Sequence, residues 1–311
     1  MTDHNYLNRA SEKSPVRKKE MSDKTFAFFL LLPTLLLFAV LIFYPLFFCV
    51  YLSVTDMNIA NSGGANSFVG FKNFAAVFSD KQFLSSLKCT GYFVVFNVAF
   101  GIIIGFLFAY VLNKRFKFRK TLRGLMIIPW AVPAVVNGLL WQWIYNANYG
   151  VLNGMLRQSG IIKQNVAWLS DPGLAMNMVI FADLWSVIPF ICLMYLAAMQ
   201  AIPADLYEAG IVDGTSGLQT LRYITIPLLM PTTLILLVMR TIATIKAFDI
   251  LYTLTNGGPA GSTEVAGLYI YKQGFLYANF GTSSAASIVL ILISLLLVLL
   301  YFKILNADMT A

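Results

Sequence analysis

Long apolar runs without a single charge most constrain how this chain can fold. Residues 26–50 form one such run, and residues 89–112 form another. A helix of about 20 mainly apolar residues crosses the roughly 30 Å hydrocarbon core of a bilayer. Inside that core a segment must satisfy its own backbone hydrogen bonds, which favours helices. With 59% hydrophobic and 12% charged residues, the chain is predicted to be an all-α integral membrane protein.

Six transmembrane helices are expected, and the basic residues between them indicate their orientation. The predicted spans are 26–50, 89–112, 124–145, 174–199, 223–248 and 282–305. The connection 113–123 carries six Lys or Arg and no acid, and such loops are typically cytoplasmic. The amino and carboxyl termini are therefore predicted to be cytoplasmic, with an arm at 1–25 and a tail at 306–311.

The connection between spans four and five, residues 202–222, is a polar island with its own helical pattern. Pro203 suits the first turn of a helix, and Gly214 suits the left-handed position just past its end. Ser216 can cap a second short helix, before Pro227 and Pro231 interrupt the start of span five. The island is predicted to be a cytoplasmic helix–turn–helix.

Two charges lie deep inside predicted spans, whereas Lys246 falls near the end of span five. Asp183 lies in span four and Arg240 in span five, each about 12 to 14 Å from the outer end at 1.5 Å per residue. An isolated charge at that depth costs several kcal/mol. Two arrangements stay open: the residues pair with each other, or both line a translocation cavity.

The island also carries a resemblance. The string E-A-G-I-V-D-G at 208–214, followed by L-R-Y-I-T-I-P at 221–227, resembles the cytoplasmic loop signature of binding-protein-dependent ABC importer permeases, E-A-A-x-x-x-G with a later I-x-L-P. Gly210 replaces the usual second Ala, and Ile226 replaces Leu. The strings V-G-F-K-N-F at 69–74 and T-N-G-G-P at 255–259 resemble further motifs of the sugar permeases, of the maltose type and the first permease of the pair.

The resemblance implies half of the translocation pathway of an ATP-driven carbohydrate importer in a bacterial or archaeal inner membrane. It implies these partners: a homologous second permease, two ATPase subunits that bind ATP and Mg, an extracytoplasmic solute-binding protein, the carbohydrate and membrane lipid. The chain itself would hold no cofactor and would not be an enzyme. The ATPase would be contacted by Glu208, Ala209, Gly210, Asp213 and Gly214.

Sugars are bound by aromatic faces and polar side chains, which gives a set of candidate pathway residues. Besides Asp183 and Arg240, these are Asn137, Trp130, Trp141, Tyr145 and Trp185. Trp and Tyr near span ends are also common as interfacial anchors, so both interpretations remain. Two further functions also remain: a secondary transporter driven by ion gradients, with Asp183 and Arg240 as coupling charges, and an importer of a non-sugar solute such as glycerol phosphate.

Several other functions are disfavoured. The net charge of the chain is +8. Its positive residues cluster next to hydrophobic runs, a distribution that does not indicate nucleic-acid binding. Cys49, Cys89, Cys192 and His4 do not make a usual zinc site, although a bridge between Cys49 and Cys89 is left open. The sequence G-G-P-A-G-S-T lacks the Lys and the spacing of a phosphate-binding loop, so an external turn is expected there.

Overall fold

The computed structural model describes residues 22–58 and 67–309. Most of the predicted amino-terminal arm, with His4, and the end of the tail lie outside these residues. The described residues fall in two compact units, one up to Phe48 and the other from Cys49 onward.

Helices make up nearly all of the described structure, which confirms the predicted all-α class. In the described residues, β-structure is limited to two isolated bridges, Thr55–Phe68 and Asn58–Asn279. The α-helices run as follows: α1 Asp23–Phe38, α2 Tyr44–Ser53, α3 Lys72–Ser79, α4 Lys81–Asn113, α5 Arg119–Trp130, α6 Ala134–Ile144, α7 Val151–Gln158, α8 Pro172–Ala201, α9 Ala204–Val212, α10 Gly217–Thr220, α11 Ile226–Ile245, α12 Asp249–Thr255, α13 Ala266–Tyr271 and α14 Phe280–Met309. Three π turns continue these helices: Ala39–Phe43, Leu221–Thr225 and Lys272–Leu276.

Five helical stretches in the described residues are long and apolar enough to cross a membrane. They are Lys24–Ser53, Lys81–Asn113, Pro172–Ala201, Gly217–Ile245 and Phe280–Lys303. A sixth candidate is the pair α5 and α6, which is bent by 97°.

The bend corrects the treatment of residues 124–145 as one helix. Helix α5 ends at Trp130, and Pro133 stands just before α6 with an extended ψ of 146°. Proline lacks the N–H that a continuing helix needs, and it disfavours helical geometry at the residue before it. Residues 124–145 therefore lie in two helices set at an angle and not in one straight helix.

The fifth span begins earlier than the predicted residue 223, because Pro227 and Pro231 do not interrupt it. The helical stretch runs from Gly217 to Ile245 without a gap. In the π turn, the N–H of Ile226 bonds to the carbonyl of Leu221, five residues back. This wider turn gives the ring of Pro227 room beside the preceding carbonyls.

The second unit is organised around α4 and α8, which share the most extensive helix contact. Gly105 of α4 permits this close packing, because a Cβ at that position would lie 2.5 Å from Cγ2 of Ile191 on α8. Helix α11 packs against both α4 and α8. The three helices therefore share an interior in which polar side chains can meet.

Candidate functional site

Three polar side chains meet among α4, α8 and α11. Arg240 Nη2 forms an ion pair with Asp183 Oδ2, and it donates to Asn97 Oδ1 at 2.6 Å. Asn97 Nδ2 in turn donates to Asp183 Oδ2 at 2.7 Å. The contacts close a triangle, which we call the polar triangle, and the two predicted charges are paired in this structure.

The chemistry of Asn97 explains how the polar triangle is stabilised in an apolar interior. A buried ion pair is favourable only if further hydrogen bonds satisfy its remaining donors and acceptors. The Asn97 amide accepts from Arg240 and donates to Asp183, and it is itself fully buried. Its oxygen accepts a second guanidinium bond, from Nε of Arg240 at 3.2 Å.

A cavity of about 170 Å³ lies beside the polar triangle. Its lining includes Arg240, Met239, Trp130 and Phe190. The Trp130 and Phe190 rings stack with centroids 5.7 Å apart. One cavity therefore combines aromatic surface with a guanidinium group, and the role predicted for Trp130 and Arg240 in a substrate pathway stays a prediction.

Most of the other predicted pathway residues are buried between α6 and α8. The Trp141 ring lies 5.0 Å from that of Tyr145 and 5.9 Å from that of Trp185, centroid to centroid. Trp141 and Tyr145 are buried, and the Tyr145 hydroxyl donates to the carbonyl of Met178 at 3.2 Å. In this conformation these two side chains belong to helix packing rather than to the cavity at Arg240.

Asn137 also joins α6 to α8. Its side chain is 1% exposed, and Nδ2 donates to the Ala182 carbonyl at 3.0 Å and to Ser186 Oγ at 3.3 Å. Its Oδ1 has no hydrogen-bond partner among the described residues. Asn137 is thus beside Asp183 in the fold, but it does not open on the cavity.

Sequence reasoning missed Asn97, Phe190 and Lys246. A polar amide in the middle of an otherwise apolar span is a usable signal, and it singles out Asn97. Lys246 lines a separate apolar cavity of about 640 Å³, together with Phe248, Tyr271 and Phe275. No sequence signal distinguishes Phe190 from the other phenylalanines.

The predicted helix–turn–helix is present. Helix α9 follows Pro203, and Gly214 has a left-handed φ of 72°. Ser216 forms a capping box with Gln219 at the start of α10, in which Ser216 N donates to Gln219 Oε1 at 2.8 Å. The loop therefore stabilises itself through contacts between near neighbours.

The surface of the helix–turn–helix combines acidic and apolar side chains. Glu208, Ala209, Asp213 and Gly214 are exposed. Large apolar side chains are exposed beside them: Ile211, Val212 and Leu218. An apolar surface of this kind, rimmed by charge, is typical of a protein interface.

Gly210 differs from the other predicted coupling residues because it is buried. A Cβ there would lie 3.0 Å from Thr215 Oγ1 and 3.1 Å from Ile224 Cδ1. Thr215 Oγ1 donates to the Gly210 carbonyl at 2.8 Å. The close approach at Gly210 is therefore to its own loop, and an alanine there would require the Thr215 or Ile224 side chain to shift by a few tenths of an ångström.

A second ion pair, between Glu264 and Lys272, joins the segment after α12 to the π turn after α13, at the end of the bundle opposite the helix–turn–helix. Glu264 accepts from Lys272 Nζ at 2.7 Å and from Gln82 Nε2 at 2.6 Å. Tyr269 donates to Asp80 at 2.6 Å. Burial and this hydrogen bond both raise the pKa of Tyr269, so its hydroxyl stays a donor.

The remaining motifs are structural. T-N-G-G-P forms a tight turn, with Asn256 and Gly257 at positive φ. Cys49, Cys89 and Cys192 are free thiols, so the bridge left open by the sequence is not formed. No group of three potential metal ligands occurs in residues 22–58 and 67–309.

The helical bundle, its interior ion pair and the exposed helix–turn–helix together define a transport subunit, and comparison with known proteins identifies its family. Residues 101–310 match the family model for the inner membrane component of binding-protein-dependent transport systems. The chain belongs to this family and is a multi-pass membrane protein. Because the family consists of components of binding-protein-dependent transport systems, membership argues against the alternative of a secondary transporter driven by ion gradients.

The relatives include sugar and glycerol-phosphate permeases. The chain is 38% identical over 237 residues to the trehalose/maltose transport system permease protein MalF of Thermococcus litoralis, covering 76% of this chain and 79% of that protein. It is 35% identical over 282 residues to the sn-glycerol-3-phosphate transport system permease protein UgpA of Agrobacterium fabrum, covering 90% and 94%.

A solved structure shares the fold. A bacterial ABC transporter involved in the import of the acidic polysaccharide alginate contains a chain that matches with a TM-score of 0.80 and 25% identity, covering 91% of this chain and 96% of that one. The same type of transporter, in complex with a periplasmic protein carrying an alginate pentasaccharide, matches with a TM-score of 0.78 and 26% identity, covering 90% and 93%.

Proposed function

We propose that this chain forms half of the translocation pathway of an ATP-driven carbohydrate importer and receives its power through the helix–turn–helix at 202–222. The observation that carries this is the exposed surface around Glu208 and Asp213, where acidic and apolar side chains lie together. The sequence has no nucleotide-binding motif, so the ATP would be hydrolysed by a partner that covers this surface.

The proposed assembly contains a homologous second permease, two ATPase subunits with their ATP and Mg, and an extracytoplasmic solute-binding protein. The alginate transporter in complex with its periplasmic protein supports the last of these by analogy. The six basic residues of 113–123 support a cytoplasmic placement of both termini and of the helix–turn–helix. The relatives named above come from bacteria and archaea, which supports a cytoplasmic membrane of such a cell.

The proposed cargo is a neutral carbohydrate, and the polar triangle favours this over an anion. Arg240 is compensated by Asp183 and hydrogen-bonded by Asn97, so the site carries no free positive charge for a phosphate. Sugar hydroxyls can replace such hydrogen bonds one for one, because each hydroxyl both donates and accepts. Glycerol phosphate stays the second candidate, because the UgpA relative is 35% identical.

The proposed mechanism uses the same triangle. When α11 moves relative to α8, Arg240 and Asp183 separate, and sugar hydroxyls in the cavity take up the released hydrogen bonds. Trp130 and Phe190 offer apolar faces to the sugar ring. Asn137, Trp141 and Tyr145 would support α8 from behind in this conformation, and Trp185 of α8 would contact Trp141 there.

The test is reconstitution of the chain with the second permease, the ATPase and the binding protein in nanodiscs. Cargo-stimulated ATP hydrolysis is then measured over a panel of neutral sugars, acidic sugars and glycerol 3-phosphate. We expect stimulation by a neutral sugar and crosslinking of a Glu208→Cys variant to the ATPase. Uptake that proceeds without ATP or binding protein would contradict the proposal.

A further inference from the structure

A basic segment lies at the same end of the bundle as the helix–turn–helix. Two of its six basic residues are used within the fold: Arg123 Nη2 donates to the Leu112 carbonyl at 2.9 Å, and Arg119 Nη1 donates to the Asn113 carbonyl at 3.4 Å. These bonds satisfy carbonyls at the C-terminus of α4, where positive charge is favourable. The other four are exposed and form no ion pair with any residue that the structure describes: Lys114, Arg115, Lys117 and Lys120.

One of these four, Lys114, lines a cavity of about 380 Å³ between the ends of α4 and α8 and the helix–turn–helix. Sites for small ligands range over roughly 300 to 1,000 Å³. Lys114 Nζ lies 4.8 Å from the centroid of the Tyr110 ring, which lines the same cavity. This cation–π contact places the exposed ammonium group at the edge of the cavity.

The other lining groups fit a phosphate and an adjoining apolar chain. Asn113 and Tyr207 supply an amide and a hydroxyl, and Met199 and Leu221 supply apolar surface. Both α4 and α8 are candidate membrane spans that end near this cavity, so it lies at the level where lipid headgroups begin. The exposed Phe116 and Phe118 alternate with the free cations, a pattern typical of the membrane interface.

We propose that this cavity binds the headgroup of an anionic phospholipid from the adjoining leaflet, and that the bound lipid stabilises the helix–turn–helix against α4. The phosphodiester would accept hydrogen bonds from Lys114 and Asn113, and from Tyr207 in exchange for its present contact with Thr225 Oγ1. Basic cavities between span ends suit anionic headgroups for this reason. The inference rests on the proposed function in one respect, because the consequence for transport is a tighter coupling to the ATPase.

The test uses the whole importer in nanodiscs of phosphatidylcholine alone and in nanodiscs of an equal mixture with phosphatidylglycerol. Two quantities are measured: phosphatidylglycerol retained on the purified complex by native mass spectrometry, and cargo-stimulated ATP hydrolysis. We expect retained lipid and a several-fold rise in stimulated hydrolysis in the mixture. Lys114→Gln should abolish both effects, and Lys114→Arg should keep both.

Lys117→Gln is the matched control, because it removes the same charge from the same segment but does not line the cavity. Equal behaviour of Lys114→Gln and Lys117→Gln would overturn the proposal in favour of diffuse attraction to the membrane. Replacement of the lipid effect by inorganic phosphate in phosphatidylcholine would also overturn it. A complex that retains the lipid through Lys114 but shows no cargo-stimulated hydrolysis would count against the proposed function alone.

Discussion

The helix–turn–helix and the polar triangle are held together by opposite means. In the helix–turn–helix the stabilising bonds join near neighbours, such as Ser216 with Gln219, and most side chains are exposed. In the polar triangle they join residues 86 and 143 positions apart, with Asn97 fully buried and the two charged side chains largely buried. The helix–turn–helix can therefore form from local contacts alone. The polar triangle forms only after α4, α8 and α11 have packed together.

The largest expected effect comes from breaking the polar triangle at its cation. Arg240→Ala leaves the largely buried Asp183 carboxylate without its cation and with only the Asn97 amide as a partner, and we expect a loss of about 3 kcal/mol in the free energy of unfolding. Reversible unfolding in mixed micelles measures this loss, and transport should fall with it. The double exchange Asp183→Arg with Arg240→Asp should restore part of both. An unchanged unfolding curve for Arg240→Ala would contradict the claim that the polar triangle stabilises the packing of the three helices.

A smaller effect is expected when the ion pair is kept and only the amide is removed. Asn97→Leu deprives Arg240 and Asp183 of their bonds to Asn97, and we expect a loss of about 1 to 3 kcal/mol by the same unfolding measurement. The exposed neighbour offers a control: Val95→Leu changes the surface of α4 but not the triangle. Equal losses for the two variants would mean that Asn97 matters only through packing.

In the helix–turn–helix the expected effect is local. Ser216→Ala removes the cap of α10 and should cost about 1 kcal/mol, seen as faster hydrogen exchange at the Gln219 amide. Unfolding of the bundle should stay unchanged. Ser216→Asp retains a capping oxygen and should exchange as the native chain does. A shift in the global unfolding curve for Ser216→Ala would show that the two regions are not independent.

The smallest effect on stability is expected at Glu208, which is exposed and forms no ion pair with the described residues. Glu208→Ala should leave unfolding unchanged but lower cargo-stimulated ATP hydrolysis by roughly tenfold, which corresponds to about 1.4 kcal/mol of lost contact with the ATPase. Asp205→Ala, on the same helix but outside the signature, is the control. If Asp205→Ala lowers hydrolysis equally, general charge and not Glu208 carries the contact.

The same contrast explains what the sequence could predict. Pro203, Gly214 and Ser216 specify the helix–turn–helix because each acts on its own backbone or on residues three or four away. The pairing of Asp183 with Arg240 was one of two open arrangements, because a charge in a span demands a partner but does not name it. Asn97 completes the triangle through packing that no local pattern records.

The prolines illustrate the limit on predicting the fold. Pro129, Pro189 and Pro231 all lie inside helices that continue through them. At Pro133, in contrast, the helix is interrupted, and α5 and α6 meet at a bend of 97°. Each proline removes one backbone donor, and whether the helix survives depends on the neighbouring helices rather than on the residue itself.

The uninterrupted helix from Gly217 to Ile245 has a mechanical meaning. One end of this continuous helix lies at the capped turn next to Ser216. Arg240 lies roughly 35 Å further along the helix axis. A tilt applied at the Ser216 end can become a sideways displacement at the guanidinium, and the π turn at Leu221–Thr225 is the point along the way where the helix can bend. In the proposed importer, ATP hydrolysis by the partner would reach the Asp183–Arg240 ion pair along this helix.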